Sequence, residues 1–200
     1  MSRPEQFDAD GWAPRARRVP SPNHDRRPDA AVVDLLVIHH ISLPAGRFSG
    51  DAIEQLFTNR LDSASHPGFE SLAGLRVSAH FLIRRRGELI QFVSGDDRAW
   101  HAGQSCFQGR ERCNDFSIGI ELEGTGERPF TQAQYRVLAS LTAMLVRRWP
   151  LRFVVGHSDI APGRKHDPGP TFDWIRYLGI TKPCGLERVF DSPDSLRPGL

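Results

Sequence analysis

The chain has 200 residues, 39% hydrophobic and 25% charged, enough for one globular domain with a sizeable core and too few for two ordinary ones. That balance excludes a disordered, collagen-like or coiled-coil chain, and no apolar tract is long enough to cross a bilayer. The net charge of +2, with basic residues scattered apart from clusters such as Arg84-Arg85-Arg86, gives no reason to expect a nucleic-acid or membrane partner.

The opening segment carries Asp8, Asp10, Arg15, Arg17 and Arg18 and lacks the apolar core of a secretory signal, so a cytoplasmic location is expected. Pro14, Pro20, Pro22 and Pro28 forbid a long helix, and residues 1–30 read as an irregular arm laid over the body. The run Val32-Val33-Asp34-Leu35-Leu36-Val37-Ile38 suits a central strand covered on both faces, with His39 at or near its end. Asp51 can cap a helix whose Ile53, Leu56 and Phe57 share one face. Val77–Ile83 and Leu89–Val93 bracket a basic, glycine-containing turn and predict a β-hairpin.

Phe116, Ile118, Ile120 and Leu122 alternate with small or polar residues, predicting a second buried strand that aims Glu121 away from the apolar face. Thr131 and Gln134 form a capping box. Leu138, Leu141, Leu145 and Trp149 then continue a helical stripe until Pro150. Phe153-Val154-Val155 predicts a short strand ending at Gly156-His157. The Pro/Gly-rich stretch from Ile160 to Pro170 excludes regular structure, and residues 171–178 suggest a final short helix. Interleaved strands and helices with one hairpin predict an α/β (α+β) domain with a mixed central sheet. Cys106, Cys113 and Cys184 form no C-x-x-C element and cannot all pair, which argues for reduced thiols.

His39 and His157 each follow a run of buried-strand residues, where active sites of α/β layers gather. Asp167 follows His157 through a stiff turn-rich stretch that can hold a carboxylate near the imidazole. Two imidazoles and a carboxylate, with a fourth position for water, form a ligand set known for catalytic zinc. By spacing alone the same histidines also read as side chains hydrogen-bonded at loop edges. Glu121 could carry a proton and Lys165 could balance an oxyanion. The plainer readings are the polar face of a strand and a solvated loop lysine.

Three stretches weigh against those plainer readings: Val37-Ile38-His39-His40-Ile41-Ser42, Asn114 to Gly124, and Gly156-His157-Ser158-Asp159-Ile160-Ala161-Pro162 continuing through Arg164-Lys165-His166-Asp167 to Pro170. Together with Arg17 to Asn23, Leu75 to His80 and Arg98-Ala99-Trp100-His101-Ala102-Gly103, they resemble the type 2 N-acetylmuramoyl-L-alanine amidases, relatives of the peptidoglycan-recognition proteins. Within that family the likeness is to the cytoplasmic 1,6-anhydro-N-acetylmuramyl-L-alanine amidases of cell-wall recycling, and it runs from about Gly11-Trp12 to Trp174.

The resemblance implies a zinc amidase domain over 31–180 followed by a tail over 181–200, and one Zn2+ held by His39, His157 and Asp167. It makes Glu121 the catalytic carboxylate and Lys165 the oxyanion partner in hydrolysis of the amide between the muramyl lactyl group and L-alanine. The implied partner is a small-molecule anhydromuropeptide. Arg76 and Arg112 offer guanidinium forks to its carboxylates and Trp100 a flat wall. His40 departs from the asparagine usual after the first ligand and meets substrate with different hydrogen-bond geometry. Two other readings share the motifs: an exported amidase acting on intact peptidoglycan, and a non-catalytic muropeptide-binding module.

Overall fold

The computed structural model describes residues 6–189. Its strands are β1 (Arg17–Arg18), β2 (His24–Asp25), β3 (Leu35–Ile41), β4 (Phe81–Ile83), β5 (Leu89–Gln91), β6 (Arg98–Ala99), β7 (Cys106–Phe107), β8 (Arg110–Glu111), β9 (Ser117–Glu123) and β10 (Phe153–Gly156). Its helices are α1 (Ala52–Phe57), α2 (Gln132–Arg148), α3 (His157–Ile160) and α4 (Trp174–Thr181). Six strands form one mixed sheet in the order β1-β5-β4-β9-β3-β10. The four strands β4, β9, β3 and β10 run parallel, and the hairpin partner β5 lies antiparallel to β4. The predicted hairpin therefore exists, with strands shorter than the apolar runs. Ser78 and His80 bond instead to the carbonyls of Trp100 and Gly119 outside regular strand pairing.

Period-two alternation gives the sheet two different faces. Leu36, Ile38, Ile118, Ile120 and Leu122 face α2 and pack against its Leu138, Leu141 and Leu145. Helix α2 starts at the anticipated capping box: Thr131 Oγ1 accepts from the Gln134 backbone N–H at 3.1 Å, and Gln134 Oε1 accepts from the Thr131 N–H at 3.0 Å. The opposite face carries Leu35, Val37 and His39 from β3 beside Ser117, Gly119 and Glu121 from β9. Strand β3 runs Leu35–Ile41, three residues later than the sequence run suggested, so His39 lies inside the strand. Val32 is exposed, while the register with β9 extends the pairing to Ile41.

The arm is more regular than its prolines suggested. β1 pairs parallel to β5 and β2 antiparallel to β6, and Asn23 is buried with its amide donating to Asn59 Oδ1 and the Val77 carbonyl. Asp51 stands before α1, but its side chain accepts from Gln55 Nε2 and leaves the backbone uncapped. Helix α4 begins at Trp174, later than anticipated, because Asp173 accepts from the Arg176 N–H and sets the start there. No helix among the described residues is long and apolar enough to cross a membrane.

Candidate metal centre and active site

The carboxyl ends of parallel strands are where an α/β sheet opens to ligands, and three adjacent strands deliver the site there. His39 on β3 is in register with Glu121 on β9, on the same sheet face. Gly156, the last residue of β10, pairs with Ile38, so His157 emerges beside His39 as the first residue of α3. The turn-rich stretch anticipated after Ile160 returns the chain, and the Ser158 N–H donates to the Asp167 carbonyl at 2.9 Å. The single turn α3 was not anticipated. Its N-terminus is held by Asp159 Oδ2, which accepts from the Gly156 N–H at 2.7 Å.

These constraints bring three donor atoms to one point. His39 Nδ1 lies 3.0 Å from His157 Nδ1 and 3.0 Å from Asp167 Oδ2, and His157 Nδ1 lies 3.1 Å from the same carboxylate oxygen. Both rings are buried and Asp167 partly so. The His157 Nε2 faces the Ala102 carbonyl at 3.1 Å. A carbonyl only accepts, so a neutral His157 carries its proton on Nε2 and presents a bare Nδ1 to the cluster. Burial pushes His39 down to about 4 against the pull of Asp167, so this ring is neutral at pH 7. An unprotonated nitrogen and a carboxylate oxygen at such separations fit a cation between them, and the N/N/O set suits zinc with one position left open.

Glu121 is buried, and its Oε2 has no hydrogen-bond partner among the described residues. Burial pushes its carboxyl well above the usual range, with nearby Asp167 adding to the effect and Lys165 opposing it. Lys165 is partly buried, its backbone N–H donating to the Ala161 carbonyl at 3.0 Å. Its charge reaches both Glu121 and His39.

The remaining anticipated residues are not among the three converging groups. His40 is partly buried on the alternate side of β3, its Nε2 beside Gly126, and is not one of the three converging groups. His166 is exposed and also outside them. Arg112 sits in left-handed backbone with φ 59°, pairs with Asp115 at 3.4 Å and lines an open cleft with Gln104, Ile160 and Arg164. Arg76 is exposed, with no hydrogen bond or ion pair among the described residues. Trp100 is partly buried and its Nε1 is enclosed without an acceptor among those residues.

Sequence reasoning gave no role to His101, Asn114 or Ser117, yet His101 stands directly behind His39, and Asn114 and Ser117 hold His101 in turn. Spacing in sequence carries no sign of this, because the contacts form only when β9 and the loop before it fold against β3.

This fold is that of a known family. The N-acetylmuramoyl-L-alanine amidase family (Amidase_2) matches residues 28–170, and the chain belongs to it. Among its relatives is the 1,6-anhydro-N-acetylmuramyl-L-alanine amidase AmpD of Citrobacter freundii, 56% identical over 182 residues, which span 90% of this chain and 97% of that protein. The crystal structure of a selenomethionine AmpD derivative superposes with a TM-score of 0.84 at 56% identity, covering 87% of this chain and 98% of that one. A more distant structure is the Escherichia coli amidase AmiD in complex with anhydro-N-acetylmuramic acid-L-Ala-D-gamma-Glu-L-Lys. It is 31% identical with a TM-score of 0.55, covering 78% of this chain and 60% of that one.

Proposed function

We propose that the protein is a zinc-dependent amidase that cuts the bond between the lactyl group of 1,6-anhydro-N-acetylmuramic acid and L-alanine, in the recycling of cell-wall fragments in the cytoplasm. The observation that carries this reading is the meeting of His39 Nδ1, His157 Nδ1 and Asp167 Oδ2 within 3.1 Å of one another, with Glu121 on the neighbouring strand in direct register with His39. The 56% identity to AmpD over nearly its whole length supports the anhydro-sugar substrate, as does the anhydromuropeptide bound to AmiD.

His39, His157 and Asp167 would hold the metal. Zinc in such a site supplies a Lewis acid that brings the pKa of a coordinated water towards about 7, so an amide can be attacked at neutral pH without a serine or cysteine nucleophile. Glu121, on the same sheet face as His39, takes a proton from the attacking water and returns it to the departing alanine amine. Its burial suits this task, because a raised pKa lets one carboxyl serve as base and then as acid. Lys165 balances the negative charge that grows on the lactyl carbonyl oxygen. Arg112 and Arg76, both with exposed side chains, are available to the carboxylates of the stem peptide. Trp100 offers its indole face and an N–H that has no acceptor among the described residues. His40 takes the position next to the first ligand and contacts the substrate there.

The test incubates zinc-loaded protein separately with anhydromuramyl tripeptide and with intact wall sacculi, following free peptide by mass spectrometry. Release from the anhydromuramyl tripeptide supports the proposal. Release from sacculi alone favours an exported wall amidase, and binding without release favours a recognition module.

A further inference from the structure

Each imidazole of the triad has a second nitrogen turned away from Asp167, and both of those nitrogens end on the same dipeptide. His39 Nε2 lies 2.9 Å from His101 Nδ1, and His157 Nε2 donates to the Ala102 carbonyl at 3.1 Å. The dipeptide is itself clamped. The backbone N–H groups of His101 and Ala102 both donate to Asn114 Oδ1, at 3.1 and 2.8 Å, and Arg164 Nη2 donates to the Ala102 carbonyl at 2.9 Å.

The direction of the hydrogen bonds behind His101 follows from what each atom can do. The Cys113 carbonyl can only accept, so Ser117 Oγ donates to it, at 2.5 Å. That uses the single hydroxyl proton. Towards His101 Nε2, 3.2 Å away, Ser117 Oγ can then only accept, which places the proton of a neutral His101 on Nε2 and leaves its Nδ1 bare. A bare His101 Nδ1 accepts from His39 Nε2–H, and His39 Nδ1 is left as a lone pair aimed at the cluster. The His101 ring is seated with little freedom. It lies over Gly119 on β9, where a Cβ would come within 2.5 Å of its Cγ and Nδ1.

We propose that His101 is a positioning residue: the chain from the Cys113 carbonyl through Ser117 and His101 fixes the Nε2–H tautomer of His39, and with Ala102 it forms a shared frame that holds both imidazole ligands ready for the metal. The ordering exists in the protein before any ion binds. Outer-shell partners of this kind are worth roughly 10–100-fold in metal affinity.

The inference rests on the zinc reading of the triad, and two measurements separate them. In metal-free protein labelled with 15N-histidine, long-range 1H–15N spectra should show both His39 and His101 as Nε2–H tautomers. A His39 protonated on Nδ1, bonded to Asp167, overturns the relay. Zinc affinity by chelator competition should fall roughly 10–100-fold in His101→Leu and recover to within a few-fold of wild type in His101→Asn, whose side-chain carbonyl can stand where Nδ1 accepts. Equal affinities of wild type and His101→Leu, or an Asn variant as weak as the Leu variant, overturn the relay and leave the zinc reading intact. A wild-type protein that takes up no zinc contradicts that reading instead. If His101→Leu does not fold, as judged by far-UV circular dichroism, the Asn variant and the tautomer spectrum decide.

Discussion

Glu121 carries a cost in stability at the position where the proposed mechanism needs a carboxyl. It occupies a buried strand position with an oxygen that has no hydrogen-bond partner among the described residues, and its carboxyl is pushed well above the usual range. A group whose folded pKa is raised contributes its full stability below the unfolded value near 4.3 and loses it as pH rises through the folded value. Glu121→Gln cannot ionise. In metal-free protein the Gln variant should therefore melt higher than wild type at pH 8, with the gap closing towards pH 4. It should retain zinc and lose turnover by roughly 10²–10⁴-fold, the range for removing a general acid–base group. Parallel thermal melts at the two pH values, metal analysis and an anhydromuramyl-tripeptide turnover assay check these outcomes. At this scale the sequence was informative about residue type: two imidazoles, one carboxylate and a glutamate on a strand. It could not show that His39 and His157 lean on adjacent residues of one distant loop, because hydrogen-bond direction is a property of the folded neighbourhood.

Elements, not loops, deliver most of the centre. The parallel register of β3 with β9 puts His39 beside Glu121, and the end of β10 puts His157 beside His39. Of the three converging groups Asp167 alone arrives on a loop, and the glycine two residues later makes that loop possible. Gly169 has φ +82°, and a Cβ there would lie 2.6 Å from Gly126 Cα, a backbone atom that cannot swing aside. Gly169→Ala should cost at least about 1–2 kcal/mol and weaken zinc binding by displacing the Asp167 loop. Gly163→Ala, also at positive φ but with open space around its Cβ, should show the conformational cost without the loss of affinity. Denaturant melts and chelator competition on the two variants read both effects.

The capping box of α2 and the alternation along β9 were legible because each is a local pattern with a local cause. The start of β3 and the position of α4 were not. Pairing with β9 carries β3 beyond its apolar run, and the Asp173 cap overrides the earlier start suggested for α4.

Across the whole molecule, the proline-rich arm is what ties the sheet edge to the site. Arg27 reaches inward and donates to the carbonyls of Gly95, Asn114, Asp115 and Ser117, at 2.9–3.3 Å. Two of those residues, Asn114 and Ser117, belong to the frame behind His39 and His157. Arg27→Met would leave these carbonyls without their donor, so we expect a loss of about 1–3 kcal/mol in denaturant melts with zinc stoichiometry unchanged. A variant that melts like wild type would show that the arm is not part of the cooperative unit. The mixed sheet, its hairpin and its helical cover were foreseeable from periodicity, whereas the arm's strands were not. β1 and β2 exist only through long-range pairing with β5 and β6.

The central claim is that three side chains from distant segments hold one zinc ion on which hydrolysis depends. The most direct measurement is the zinc content and the anhydromuramyl-tripeptide turnover of a single folded preparation of His157→Ala, beside wild type. The account predicts one zinc per wild-type chain and the joint loss of metal and activity in the variant. A folded His157→Ala protein that turns over substrate without zinc would contradict it.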